Sequence, residues 1–318
     1  MLKIRKFVKG IDEPLWVGLL NVAFREFKDW RAISTDEFIS EEKDPSFDSE
    51  GRLIAEIDDK PVGAIHAHVD KSRRERKGFI QDFGVVPRFR DLGVEEKLVE
   101  SAIDELRKKG MENVQAPRIR WPYHKKGGHI QFLERMGFRL IRRISLMDID
   151  LEKVRSEIGK NIDVVFIALK ENMKEDVKAL SWLRNKCFEG RFNYRPTSVE
   201  ETCHFLMNHP FSCLESYFAV LSKKKVGFII IVIDEKFNAE RKAKTGGIIA
   251  VGVLKPYRRR GIGAKLILHG LQMLKAKGMT RAMLDVDDFN QTKAKHLYEK
   301  VGFEVVEQYL TYEKKLSM

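Results

Sequence analysis

From Val253 the chain reads VLKPYRRRGIGAK and enters a stretch in which Ile262, Leu266, Ile267, Leu271 and Leu274 recur at helical spacing as far as Gly278, a residue suited to stopping a helix. This helix opens with no Ser, Thr, Asp or Asn to cap it, and no Asp or Glu follows within it. Its first N–H groups, at the positive end of the helix dipole, therefore receive no ligand from the sequence. Gly261 and Gly263 remove side chains that would hold a ligand away, and Arg258, Arg259 and Arg260 come just before. The chemistry this suits is the binding of a phosphate or diphosphate. Two common nucleotide signatures do not fit. RRRGIGAK lacks the G-x-x-x-x-G-K-[ST] spacing of a phosphate loop, and the third glycine of a dinucleotide fingerprint is missing.

A second constellation follows in LDVDDFNQTKAKHLYEKVGF, with Leu284, Val286, Asn290, Ala294, Leu297, Tyr298, Gly302 and Phe303 in the order L-x-V-x-x-x-N-x-x-A-x-x-L-Y-x-x-x-G-F. Val253, Arg258, Gly261 and Gly263 supply V-x-x-x-x-R-x-x-G-x-[GA]. The two elements together resemble the GNAT N-acetyltransferase superfamily, closely over 163–316 and more loosely before it. The resemblance implies acetyl-CoA as co-substrate and no metal. It implies a strand run Val251, Gly252, Val253 that bonds the pantetheine arm and offers an N–H to the thioester carbonyl. Arg258 and the amides of Arg259, Arg260, Gly261, Ile262, Gly263 and Ala264 would cradle the pyrophosphate. Asn290 would cap the short helix and touch the cofactor. Tyr298 would be the general acid for the departing thiolate, and Asp285, where some N-terminal-amine acetyltransferases carry a glutamate, the first choice of base.

The elements that must position these groups occur twice. KGFIQDFGVVPRFRDLGVEEKLVESAIDELRKKG and TGGIIAVGVLKPYRRRGIGAKLILHGLQMLKAKG share an apolar strand, a turn, R-x-x-G, an amphipathic helix and a closing K-G; ERMGF and EKVGF follow in turn. Arg90 matches Arg258 and Gly137 matches Gly302, offsets of 168 and 165, which means a duplicated domain. The pattern predicts an opening strand (2–8; 164–169), helices over 14–27, 35–43, 174–188 and 199–208, and three strands (53–58, 61–69, 79–85; 217–221, 226–234, 247–253). A long helix, a strand, a short helix and a closing hairpin complete each half. The fold class is α/β (α+β): two tandem GNAT-like domains, each a mixed, mostly antiparallel sheet flanked by helices, over 1–155 and 161–318, joined through the polar stretch 152–160.

The first copy departs where chemistry is needed. Glu95 stands where Gly263 does, followed by Glu96, and two carboxylates in a helix's first turn repel a diphosphate. Leu133 replaces Tyr298 and Lys125 replaces Asn290. Residues 1–155 thus read as a non-catalytic copy. Tandem chains with one active copy are similar to mycothiol synthases in architecture. Those enzymes place a glutamate base on the strand before VGV; here that residue is Gly247, and their substrate is not carried over.

The whole chain sets outer bounds. Its 318 residues are 43% hydrophobic, enough for two cores, with a net charge of +12. The longest apolar run, Val226–Ile233, is far short of a membrane span, and MLKIRKFVKG lacks the apolar region of a secretory signal. Cys187, Cys203 and Cys213, without CxxC spacing, read as buried free thiols in a helical region and point to a reducing, cytoplasmic setting. The basic hairpin 71–77 reads as a solvated loop, and no aromatic stacking pattern supports nucleic acid as a partner. The expected partner is an amine-bearing acceptor, a small molecule or a peptide or protein. Arg191, Phe192 and Tyr194 suggest that it has apolar and anionic parts. Oligomeric state is not legible. The alternative reading is a CoA-responsive binding protein without turnover.

Overall fold

A computed structural model describes residues 1–27, 30–44, 47–117, 128–155, 162–170 and 174–316. The first repeat runs β1 (Leu2–Lys6), α1 (Glu13–Phe24), α2 (Thr35–Glu41), β2 (Arg52–Ile57), β3 (Lys60–His68), β4 (Lys77–Val85), α3 (Val94–Lys108), β5 (Asn113–Ala116), α4 (Gly128–Arg135) and β6 (Arg139–Asp150). The second runs β7 (Val165–Ala168), α5 (Lys174–Phe188), α6 (Val199–Met207), β8 (Cys213–Leu221), β9 (Lys224–Ile233), α7 (Glu235–Arg241), β10 (Thr245–Val253), α8 (Ile262–Ala276), β11 (Arg281–Asp287), α9 (Ala294–Val301) and β12 (Glu304–Lys315).

Local chemistry accounts for most boundaries. Ser34 with Glu37 and Ser198 with Glu201 form reciprocal capping boxes on α2 and α6. Asp234 accepts from the Phe237 N–H and starts α7, an element the sequence pattern did not anticipate. Gly302 ends α9 at φ +116°, where a side chain would be strained.

The expected closing hairpin is one long strand in each repeat, and it passes into the other unit. One compact unit holds 1–142 with 309–318, the other 143–308. In unit 1 the strand order is β1-β2-β3-β4-β5-β12; in unit 2 it is β6-β11-β10-β9-β8-β7. The repeats of the sequence and the compact units therefore differ by one strand each. Burial holds the exchange. Tyr312 lies in the core of unit 1, and Met147 and Ile149 lie in that of unit 2. Only β4–β5 and β10–β11 pair in parallel among the described pairs.

Each sheet is covered on both faces. In unit 2, Leu266, Leu271 and Leu274 of α8 pack on one face with Val286, and Leu180 and Cys187 of α5 pack on the other with Phe228 and Ile230. In unit 1 the α1 face contains a buried ion pair between Arg52 and Glu42. The Arg52 guanidinium carbon lies 4.3 to 5.6 Å from the rings of Phe38, Phe47, Phe7 and Trp16. The basic hairpin is only partly solvated: Arg73 turns inward over Phe79 and pairs with Asp70, while exposed Arg76 pairs with Glu112.

Two histidines make unit 1 acid-sensitive. His66 is fully buried, its Nε2 donating to the carbonyls of Asp48 (2.9 Å) and Glu50 (3.3 Å), and its Nδ1 has no partner among the described residues. Burial, then the charges of His68 and Arg52, hold its pKa well below 6.5; burial also lowers that of His68. The unfolded chain binds these protons near pH 6.5 and the native unit does not. Stability is therefore complete above that pH and falls below it by up to about 1.4 kcal/mol per pH unit for each such group, until its native pKa is passed. Thermal melts between pH 8 and 5 should show the loss, and His66→Gln should reduce its slope. An unchanged slope would locate the sensitivity elsewhere.

Candidate active site

β10 and β11 begin as neighbours and then part. Their parallel pairing runs from Thr245↔Arg281 to Ile248↔Leu284 and stops there, and β10 carries a bulge against β9 between Ile248 and Ala250. A bulge bends its strand and adds twist. Leu254 N–H donates to Val226 O (2.9 Å), so by alternation the main-chain groups of Gly252 and Ala250 also face β9. Those of Val251 and Val253 face the opening. Gly252 is thus a packing residue. A Cβ there would come within 2.6 Å of the Phe228 ring and 2.8 Å of Cys187 Cβ.

The turn after β10 is set by backbone conformation and one clamp. Arg259 (φ +63°) and Gly261 (φ +90°) are left-handed, and α8 opens with no side-chain cap and no acid in its first turn. The Arg258 Nε donates to Val253 O (2.9 Å) and its Nη2 to Cys187 O (2.9 Å), tying strand end to helix end. Unit 1 repeats the left-handed turn and the clamp, though not the acid-free helix start. Asp91 and Gly93 are left-handed, and Arg90 donates to Val85 O (3.0 Å) and Ala23 O (2.9 Å). The first arginine of the motif is a scaffold clamp in both units. What differs is occupancy of the turn: Glu95, 3% exposed, reaches back to the Asp91 N–H (3.3 Å). At Gly263 an added Cβ would meet only Leu297 Cδ2 at 3.4 Å and Val253 Cγ2 at 4.0 Å. The start of α8 is therefore an open cradle of amides, with exposed Arg259 and Arg260 beside it. Its donors and free space are of the kind a diphosphate requires.

Tyr298, 6% exposed, packs edge-on against Phe303 at 6.1 Å, and its hydroxyl has no hydrogen-bond partner among the described residues. Burial pushes the phenol up to about 12, opposed by the nearby Arg191 charge. Contrary to expectation, Asn290 does not cap α9. The cap position is Lys293, and the Asn290 carboxamide oxygen instead accepts from Thr292 N–H (2.9 Å) and Oγ1 (2.7 Å). The turn is further pinned by Asp288, which accepts from Ser145 Oγ (2.6 Å), Lys295 Nζ (2.9 Å) and Gln308 Nε2 (3.2 Å). A depression of about 400 Å³ lies over it, lined by Asp287, Asn290, Lys293 and His296 among others. Asp285 is exposed on β11, on the face opposite Leu284 and Val286, whereas Tyr298 packs with those two. The structure therefore does not pair Asp285 with Tyr298. Lys125 lies outside the described residues. Of the cysteines, Cys187 alone is buried, its thiol pushed up to about 11; Cys203 is half-buried on α6, and Cys213 half-buried on a strand.

The model of the acetyltransferase (GNAT) family matches residues 16–138 and again 177–303. The chain belongs to the GNAT acetyltransferase family. Both repeats of this GNAT chain are thus recognised, including the one with Glu95 in its turn. The chain is similar to the mycothiol acetyltransferase of Corynebacterium aurimucosum, 34% identical over 79 residues, 25% of this chain and 26% of that protein. It is also similar to N-alpha-acetyltransferase 50 of Danio rerio, 34% identical over 93 residues, 29% of this chain and 52% of that one. The matches thus span between about a quarter and a half of those relatives. Among solved structures, a tandem GNAT protein from the clavulanic acid biosynthesis pathway superposes with a TM-score of 0.74 at 14% identity, covering 100% of this chain and 99% of that one. A GCN5-related N-acetyltransferase from Sphaerobacter thermophilus gives 0.67 at 20% identity, covering 99% and 95%. These likenesses establish the tandem GNAT fold. No described helix of this GNAT chain is long and apolar enough to cross a membrane.

Proposed function

We propose that unit 2 is an acetyl-CoA-dependent N-acetyltransferase and that unit 1 is a non-catalytic copy. The observation that carries this reading is the acid-free start of α8, open at Gly263, beside the strand edge that β10 exposes after leaving β11. Amides from Arg259 to Ala264 would hold the pyrophosphate, with Arg259 and Arg260 supplying charge and Arg258 holding the turn in shape. The cofactor supplies the activated acetyl group. The main-chain groups of Val251 and the N–H of Val253 would bond its arm, the Val253 carbonyl being held by Arg258, and an N–H there would polarise the thioester carbonyl. Tyr298 stays protonated at neutral pH and is suited to giving a proton to a leaving thiolate. We assign it as the general acid. The acceptor amine would attack directly in a ternary complex, giving up its proton to Asp285 or to water.

In unit 1 the Glu95 carboxylate already occupies the turn, Leu133 stands for the phenol, and the Arg52 cage fills the α1 face. The names of the partial relatives suggest a small amine or a peptide N-terminus as acceptor; Gly247, where a glutamate base would stand, argues against the mycothiol-type substrate. The test is thiol release from acetyl-CoA across a panel of amines. Turnover with at least one amine supports the reading. Tight acetyl-CoA binding with no release would favour a CoA-responsive protein instead.

A further inference from the structure

Helix α5 carries a charge on its buried face. Val177, Leu180 and Cys187 form the stripe that packs on the sheet, and at three- and four-residue spacing position 184 belongs to the same stripe. It is an arginine. Its Nε is buried without a hydrogen-bond partner among the described residues, and its guanidinium carbon lies 5.3 Å from the Phe205 ring on α6. The charged groups facing it are Arg195 and Glu201. Both Glu201 oxygens are already engaged, one with Arg195 (2.6 Å) and the other with the Ser198 N–H of its capping box (2.7 Å). Two cations thus face one carboxylate, and among the described residues Arg184 makes no ion pair of its own.

Unit 1 offers the comparison. Arg258 clamps Cys187 O as Arg90 clamps Ala23 O, so Ala23 corresponds to Cys187 and Leu20 to Arg184. A Cβ on Gly252 would meet Cys187 Cβ, and one on Gly84 would meet Ala23 Cβ, both at 2.8 Å, which fixes the register independently. Leu20 is 1% exposed and part of the core. The same helix position is therefore apolar in the unit whose amide turn is filled and charged in the unit whose turn is open. Along α5, Arg184 lies one turn, roughly 5 Å, before Cys187, which touches β10 at Gly252. This is the sheet face opposite α8, which on the acetyltransferase reading we take as the acceptor's side.

We propose that Arg184 is a specificity-determining residue that pairs with a carboxylate or phosphate carried by the acceptor amine. This rests on the acetyltransferase reading of unit 2. Such an anion supplies the ion pair that Arg184 does not make among the described residues, and burial strengthens the pairing, because an uncompensated cation there is costly.

The experiment compares ω-amino acids and aminoalkyl phosphates with uncharged alkylamines of matched length, using the full chain, by thiol release and by direct binding. Wild type should prefer an anionic amine by tenfold or more in kcat/KM. Arg184→Leu, which copies unit 1, should lose that preference through KM, with kcat and acetyl-CoA affinity nearly unchanged. Arg184→Met serves if the leucine variant does not fold. Equal rates for charged and uncharged amines, or a preference that survives both substitutions, would overturn the proposal. So would binding of inorganic phosphate at Arg184 with no discrimination among amines. If no amine releases thiol, the acetyltransferase reading fails separately, and binding of the anionic amines to wild type but not to Arg184→Leu still decides the role of Arg184.

Discussion

Gly263→Glu should lower acetyl-CoA affinity at least about 100-fold while leaving the protein folded; that loss corresponds to ~2.7 kcal/mol. The space exists: a Cβ at Gly263 makes only ordinary contacts, and its backbone is not in a left-handed region. The consequence is visible in unit 1, where Glu95 holds the Asp91 N–H and stays buried. A glutamate at 263 would reach the corresponding Arg259 amide, replacing a ligand oxygen and adding like charge beside a diphosphate. Gly263→Ala adds volume without charge. It should keep affinity within about threefold and slightly raise the melting temperature, since alanine is the better helix former by ~0.5–1 kcal/mol. Calorimetry and thermal melts on both variants distinguish occupancy from damage. Wild-type affinity in the glutamate variant would remove the α8 start from consideration as the binding site.

The parts of this site that were legible in the sequence are those built from neighbours in the chain. Helical spacing, the missing cap and the glycines around 261 all concern one turn and its helix, so their meaning survived into three dimensions. Arg258 was legible as a cation near an anion site, yet its donors go to Val253 and to Cys187, 71 residues away. Only its twin in unit 1 reveals that the arrangement serves the turn. Asn290 fell short for a different reason. An asparagine ahead of a helix competes for nearby amides, and Thr292 won over the helix start. The exchanged strands were invisible because β6 and β12 have similar alternating patterns, and pairing partners are chosen by packing rather than by local preference. Arg184 lay in plain view on an apolar stripe, but a basic residue at such a position usually reaches a carboxylate or water. That its Nε has no partner among the described residues is a property of α6 and its capping box.

Tyr298→Phe should lower kcat by about 10²- to 10³-fold and leave acetyl-CoA affinity within twofold, the range expected when a positioned proton donor is lost. The side chain is 6% exposed and its hydroxyl has no protein partner among the described residues, so phenylalanine keeps the edge-on contact with Phe303 and stability should change little. Its phenol, pushed up to about 12, is protonated across the working range. The acid form is lost only as pH rises through that value, so wild-type kcat should show no falling alkaline limb below about pH 10 on this account. Arg191 acts in the opposite direction to burial, because its charge favours the phenolate. Arg191→Leu should therefore move any alkaline limb higher, not lower. The unit 1 counterpart, Leu133, is 1% exposed and has no proton to give. A phenylalanine variant with wild-type kcat would mean that the thiolate leaves without help from this helix, and the acid would have to be water admitted where β10 and β11 part.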